Sequence, residues 1–210
     1  MKQTILSIQQ SVLLEGLIVK YGQIVTSEQV YTQGKTVWDQ QVAKNVVTKL
    51  TRNGWLIRVK RGLYAISDLS SRGFLSLSPY VVAHLLVRDS YVSFESALAY
   101  HSMFDQLTDK TISISQVQYK AVKLQSVEYS FVKVMGKWFF GWQEVVIENK
   151  TVRMATAEKA LIDMVQFHKS KYTIDLVVEK LSLYKSSLDM QKMTEYLSKM
   201  SLTTVKTFGF

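Results

Sequence analysis

Apolar side chains recur at Ile5, Ile8, Val12, Leu13, Leu17 and Ile18, a helical period that Tyr21-Gly22 closes. The period predicts an amphipathic helix over about 4–20. Thr26, with Gln29 three residues on, has the form of a capping box and predicts a short second helix stopping near Gln33-Gly34. Thr36 and Asp39 repeat that spacing and predict a longer third helix to about Asn53. On a wheel of 100° per residue, Val42, Ala43, Val46, Val47 and Leu50 gather on one side of this helix. Gln41, Lys44, Asn45, Thr48 and Arg52 gather on the other. Asn53-Gly54 then ends the helix through a left-handed residue. Ile57 and Val59 alternate with Arg58 and Lys60, the pattern of a half-buried strand. Arg61-Gly62 makes a turn, and Leu63 to Ile66 returns.

Residues 68–79 are rich in Ser and Gly, end in the single proline, Pro79, and read as a linker. Beyond it a helical segment is expected over about 80–87, and Ser93 can cap another from Phe94 to about Met103. Alternation then predicts short strands at 111–115, 126–134, 138–142, 144–148 and 151–154, with turns at Gly136 and Asn149-Lys150. Thr156 caps a helix to His168, and two more helices follow near 174–184 and 188–200. The expected fold is α+β. An N-terminal winged helix-turn-helix (1–67) is followed by a linker (68–79) and a larger mixed α+β domain (80–210). No internal repeat or low-complexity run interrupts this order.

Charge sharpens the reading of the first third. Of 26 basic and 17 acidic residues, residues 1–67 hold nine basic and three acidic, whereas the remainder is nearly balanced. Lys44, Lys49, Arg52, Arg58, Lys60 and Arg61 follow one another with no acid between them. Such a block raises the local potential and favours a polyanion. On the third helix, Gln41, Lys44, Asn45 and Thr48 are the residue types that hydrogen-bond base edges. Lys49, Arg52, Arg58, Lys60 and Arg61 are suited to phosphates or the minor groove. Double-stranded DNA is therefore the expected partner. The alternatives are an ordinary solvated surface or a winged helix that contacts protein; RNA fits less well, because no aromatic stacking platform is evident.

Catalytic chemistry finds little support in the sequence. The chain has no cysteine, and its three histidines (His84, His101, His168) lack metal-ligand spacing. Glu148-Asn149-Lys150 has the Glu-x-Lys spacing of metal-dependent nucleases, but it falls where a hairpin must turn and has no second carboxylate just upstream. Asp105 and Asp109 flank a polar connector and read as solvated. No phosphate-cradling Gly-rich loop, His-Glu-x-x-His or Gly-x-Ser-x-Gly occurs. His101 reads as a hydrogen-bonded core residue, and the aromatic run Trp138, Phe139, Phe140, Trp142 as strand packing. No enzyme, cofactor or metal is expected. No apolar stretch approaches a membrane span and no signal peptide is apparent, so a cytoplasmic protein is the expectation.

Three stretches in order resemble the AbiEi family of antitoxins. The first runs from Leu50 through Gly54-Trp55-Leu56-Ile57-Arg58-Val59-Lys60-Arg61-Gly62-Leu63-Tyr64 and is similar to that family's wing. The second is Tyr91-Val92-Ser93-Phe94-Glu95-Ser96-Ala97-Leu98-Ala99-Tyr100-His101. The third is Ala155-Thr156-Ala157-Glu158-Lys159-Ala160-Leu161-Ile162-Asp163. The resemblance covers roughly residues 5–185. It departs at Ser102-Met103, where the family has Gly-Leu, and the last helical portion is short. The resemblance implies an antitoxin of a type IV toxin–antitoxin system, associated with abortive phage infection. Such a protein represses its own operon by binding inverted repeats in its promoter, two copies suiting each site. It opposes a nucleotidyltransferase toxin without requiring a stable complex. The alternative is a winged-helix regulator whose second domain senses a ligand or partner and has no toxin to counter. The motif residues themselves read as structural: Thr156 and Glu158 as helix-start chemistry, and Lys159 with Asp163 as an i,i+4 pair.

Overall fold

The structure is a computed structural model, and it describes residues 5–68, 77–105, 109–168 and 170–200. The fold is mixed α+β, and the chain divides into two compact units, residues 1–77 and 78–210. Most of the expected linker, residues 69–76, lies outside the described residues.

In the first unit, α1 (Ile8–Tyr21), α2 (Ser27–Gly34) and α3 (Gln40–Asn53) pack with a three-stranded antiparallel sheet. The strands are β1 (Ile24–Thr26), β2 (Leu56–Lys60) and β3 (Leu63–Ile66), in the order β1-β3-β2. The core joins Leu13, Leu14 and Leu17 of α1, Val47 and Leu50 of α3, and Leu56 and Ile66 of the sheet. Of the apolar positions in the α1 period, Leu13 and Leu17 turn inward together with Leu14, whereas Ile5, Ile8 and Val12 are exposed. The capping box at Thr26 forms as expected, with Gln29 N–H donating to Thr26 Oγ1 and Thr26 N–H to Gln29 Oε1.

Thr36 does not cap α3. Its hydroxyl donates to the Gln33 carbonyl, and Asp39 takes the capping position by accepting from Val42 N–H at 2.9 Å. A carboxylate at a helix start gains from both the free N–H groups and the dipole, which a hydroxyl three residues earlier cannot reach. Gly54 closes α3 in the left-handed conformation (φ 86°), where a side chain would be strained.

The second unit is built on a six-stranded mixed sheet in the order β6-β7-β5-β4-β9-β8. Its strands are β4 (Ser90–Val92), β5 (Lys110–Ser115), β6 (Val122–Leu124), β7 (Val127–Lys133), β8 (Trp142–Ile147) and β9 (Lys150–Ala155). With them fold α4 (Pro79–Leu86), α5 (Phe94–Tyr100), α6 (Ala157–Phe167), α7 (Lys171–Leu183) and α8 (Met190–Ser198). Glu158 through Gln166 of α6 are all buried, so this helix is the centre of the unit.

Several local expectations change here. Pro79 is the first residue of α4, where its fixed φ suits the helix start and its missing N–H costs nothing. The expected strand at 138–142 is instead a 3-10 turn (Gly136–Trp138) and irregular chain, with β8 beginning at Trp142. The β8–β9 turn is Glu148-Asn149, both left-handed, and Lys150 already belongs to β9. The helix from Phe94 ends at Tyr100, short of Met103. Strands β1, β4 and β6, three residues each, are too short to show a period.

Candidate nucleic-acid interface

The outward face of α3 carries Gln41, Lys44, Asn45, Thr48, Lys49 and Arg52, all exposed, opposite buried Ala43, Val47 and Leu50. Val42, expected on the apolar side, is 39% exposed and borders the polar face instead. Gln41 Nε2 donates to Asn45 Oδ1 at 3.5 Å, a bond that does not use the Gln41 carbonyl oxygen or the Asn45 amide hydrogens. The Thr48 hydroxyl donates to the Lys44 carbonyl at 3.0 Å. Thr48 therefore offers a ligand only a lone pair and a methyl group. Asp39, just ahead of this helix, is committed to the helix start.

Next along the chain, β2 and β3 form a hairpin with its turn at Arg61-Gly62. Leu56 and Val59 are buried, Ile57 and Lys60 half-buried, and Arg58 and Arg61 exposed. The pairing is irregular between Arg58 and Lys60, which breaks strict alternation and explains why Leu56, rather than Ile57, joins Val59 inside. The turn is tied down: Ser27 N–H, at the start of α2, donates to the Gly62 carbonyl at 3.0 Å. That bond extends the β1–β3 register, in which Thr26 faces Leu63. Among the described residues, Lys44, Lys49, Arg52, Arg58 and Arg61 have no carboxylate within ion-pair distance. The structure thus brings exposed cations of α3 and of the hairpin into one small unit without internal neutralisation.

The second unit holds a polar cluster that the periodicity does not reveal. Lys159 Nζ donates to the Asp163 carboxylate one turn along α6, and to the Tyr91 hydroxyl at 3.1 Å. Tyr91 and Ser93 in turn donate to Asp163 Oδ2, at 3.2 and 2.7 Å. None of the four side chains is more than 1% exposed. Burial pushes the Lys159 ammonium below its ordinary value and the Asp163 carboxyl above its own, each against the other's charge. The Tyr91 phenol is pushed well up by burial and by Asp163. The ammonium also lies 4.8 Å from the Phe140 ring centroid, and Gly141 (φ 76°) passes so close that a Cβ there would meet Lys159 Cδ at 2.8 Å.

This network joins the second and third of the motifs described above. Ser93 precedes α5 but makes no side-chain cap, since its hydroxyl serves Asp163. Phe94 adopts φ 56°, a strained value for a bulky residue, and stacks on His168 at 4.4 Å between centroids. The i,i+4 spacing of Lys159 and Asp163 was visible in the sequence; their complete burial was not. A charged pair inside the apolar run Ala160-Leu161-Ile162 and Met164-Val165 is the signal that could have found it.

The remaining candidates have structural partners. Both carboxylate oxygens of Glu148 accept from Ser78 N–H, at 2.9 and 3.0 Å, so the carboxylate of the Glu-x-Lys stretch holds the start of α4. Glu158 accepts from Asp189 N–H at 3.0 Å and ties α6 to α8. His101 Nε2 donates to the Ala155 carbonyl at 2.8 Å. Trp138, Phe139, Phe140 and Trp142 pack on Phe167, Tyr91, Tyr196 and Arg153 respectively. Among the described residues no group of three His, Asp or Glu side chains converges to hold a metal ion. An open cleft of about 530 Å³ is lined by Gln116, Lys133, Met135 and Trp138. A second, of about 360 Å³, is bordered by Asp105, Asp175 and Glu179. No described helix is long and apolar enough to cross a membrane.

Comparison with known proteins places the fold but not the activity. No family model and no curated protein matches the chain. Among solved structures it is similar to the RV2827C protein from Mycobacterium tuberculosis, with a TM-score of 0.67 at 14% identity. That match covers 98% of this chain and 76% of the other. At this identity the likeness establishes a shared α+β fold across both units.

Proposed function

We propose that the first unit is a winged helix that binds duplex DNA, with α3 in the major groove and the β2–β3 hairpin on the flanking backbone. One observation carries this reading: α3 and the adjoining hairpin present exposed amides and five cations that no carboxylate of the described residues neutralises. Gln41 and Asn45 supply the bidentate chemistry that suits adenine, and Lys44 a donor for guanine. Lys49, Arg52, Arg58, Lys60 and Arg61 supply the phosphate contacts that set register without reading sequence. Together with the resemblance of the three motifs to AbiEi antitoxins, this supports a DNA-binding antitoxin. It would repress its own operon and oppose a nucleotidyltransferase toxin through the second unit, with no catalysis of its own.

The test is the salt dependence of binding to the promoter upstream of its own gene. Affinity should fall with a log–log slope of about −0.9 per phosphate contact, and Arg58→Ala or Arg61→Ala should each shallow it by about one unit. An unchanged slope in both variants removes the hairpin from the interface. A second reading, a regulator whose second unit senses a small molecule, is favoured by the cleft beside Trp138 and Lys133. Co-expression with the neighbouring gene separates the two. Rescue from growth arrest supports the antitoxin, and an inert neighbour supports the sensor.

A further inference from the structure

Two side chains of α3 serve neither the core nor the helix. Val42 is 39% exposed and stands outside the unit's apolar core, although valine is a poor helix former. Thr48 is exposed as well, and its hydroxyl donates back to the Lys44 carbonyl, a bond that slightly weakens helices. With the hydroxyl hydrogen so committed, Thr48 has its methyl group to offer a ligand.

Between them, three residues from each, stands exposed Asn45. Val42, Asn45 and Thr48 form one i, i+3, i+6 row, each turned about 60° from the next and about 4.5 Å further along the axis. The row reads methyl, amide, methyl. Asp39 fixes its start, accepting from the Val42 N–H at 2.9 Å. Gln41 steadies its centre, donating from Nε2 to Asn45 Oδ1 at 3.5 Å; the other lone pair of that oxygen and the Asn45 amide hydrogens are not used by this bond.

We propose that this row reads a core of A·T base pairs in the major groove, Asn45 bonding one adenine while Val42 and Thr48 pack on the 5-methyl groups of thymines in the neighbouring pairs. The inference rests on the reading of α3 as the helix that enters the groove, and names the sequence it selects. Thymine is the base that presents an apolar group in the major groove, and adenine N6 and N7 are the pair a carboxamide bonds in bidentate fashion. G·C pairs offer these positions polar groups alone. A methyl set against them removes water without returning a hydrogen bond. Base pairs stack about 3.4 Å apart, so a row stepping by about 4.5 Å along an inclined helix spans successive pairs. Lys49 and Arg52 of the same helix add attraction that does not depend on sequence.

Uracil in place of thymine removes the methyl and keeps every hydrogen-bonding edge, which gives a direct test. The full-length protein first selects duplexes from a randomised synthetic pool, where thymine is the only source of such a methyl. The selected core should be a run of A·T pairs. Uracil at its thymines should weaken binding about fifteenfold per bound copy, about fourfold for each of two buried methyls. The salt slope should not change, because the phosphates are the same. Thr48→Ser, which loses only the methyl, should cut the preference for thymine over uracil about fourfold. Thr48→Val, which keeps a methyl and loses the hydroxyl, should retain that preference. Val42→Ala combined with Thr48→Ser should bind both duplexes alike. A selected core of G·C pairs, equal wild-type affinity for the two duplexes, or a preference lost in Thr48→Val and kept in Thr48→Ser would each overturn the inference; steep salt dependence in those cases would leave the DNA-binding reading standing. Failure to select any duplex would overturn both.

Discussion

Lys159 and Asp163 lie one turn apart on α6, paired to each other and sealed from solvent, with Tyr91 and Ser93 completing the shell around them. Removing water from two opposite charges costs several kcal/mol per ion, and their attraction offsets this only while both remain. The arrangement is therefore worth more for which chain segments it brings together than for net stability. It fixes β4 and the start of α5 against the central helix.

Breaking one side of the pair leaves an uncompensated buried charge. Lys159→Met should destabilise the second unit by about 3–5 kcal/mol, whereas Lys159→Met with Asp163→Leu should recover much of that loss. Denaturant unfolding measures both. A double variant no more stable than the single one would show that the shell, rather than the charge pair, sets the cost.

Gly141 and Gly22 share a positive φ, 76° and 78°, but not their surroundings. A Cβ at Gly22 meets nothing within 4 Å, so Gly22→Ala should cost only the backbone strain, about 1–2 kcal/mol. Gly141→Ala adds a collision with the buried Lys159 stem and should cost about 1–3 kcal/mol more. Equal thermal shifts in the two variants would contradict this account.

Burial raises the Tyr129 phenol from 10.0 to about 12. The fold thus favours the neutral form, and the unfolded chain ionises first. Its contribution is complete below about pH 10 and is lost as pH rises toward 12. Stability of the wild type should fall through that window, and Tyr129→Phe should flatten the fall. Tyr80 and Tyr91, which burial also raises, act in the same direction, and the buried Lys159, whose ammonium is pushed down, acts against them.

Asp39→Ala should lower stability by about 1 kcal/mol, the usual value of a helix cap, while Thr36→Ala should change it little. Comparing their unfolding midpoints checks which residue starts α3.

The contrast between Thr36 and Asp39 shows how far the sequence could be read. Periodicity and capping chemistry located α1, α2, α3 and α6, because each repeats an interaction over several turns. They failed where one residue had two possible jobs. Thr36 and Ser93 both look like caps, yet one bonds the preceding turn and the other a carboxylate seventy residues away. The strand expected at 138–142 failed because its aromatics pack on side chains of α6 and α8 instead of alternating across a sheet. At the candidate interface, the exposed polar face of α3 was legible because helical spacing alone defines it. The anchoring of the hairpin by Ser27 was not, since it depends on β1, a strand of three residues.

That anchor has a thermodynamic consequence. A hairpin whose turn is bonded to the start of α2 has less freedom left to lose on binding. The proposed association with DNA then need not freeze a loop, so its heat-capacity change should reflect desolvated surface alone, without a contribution from induced folding.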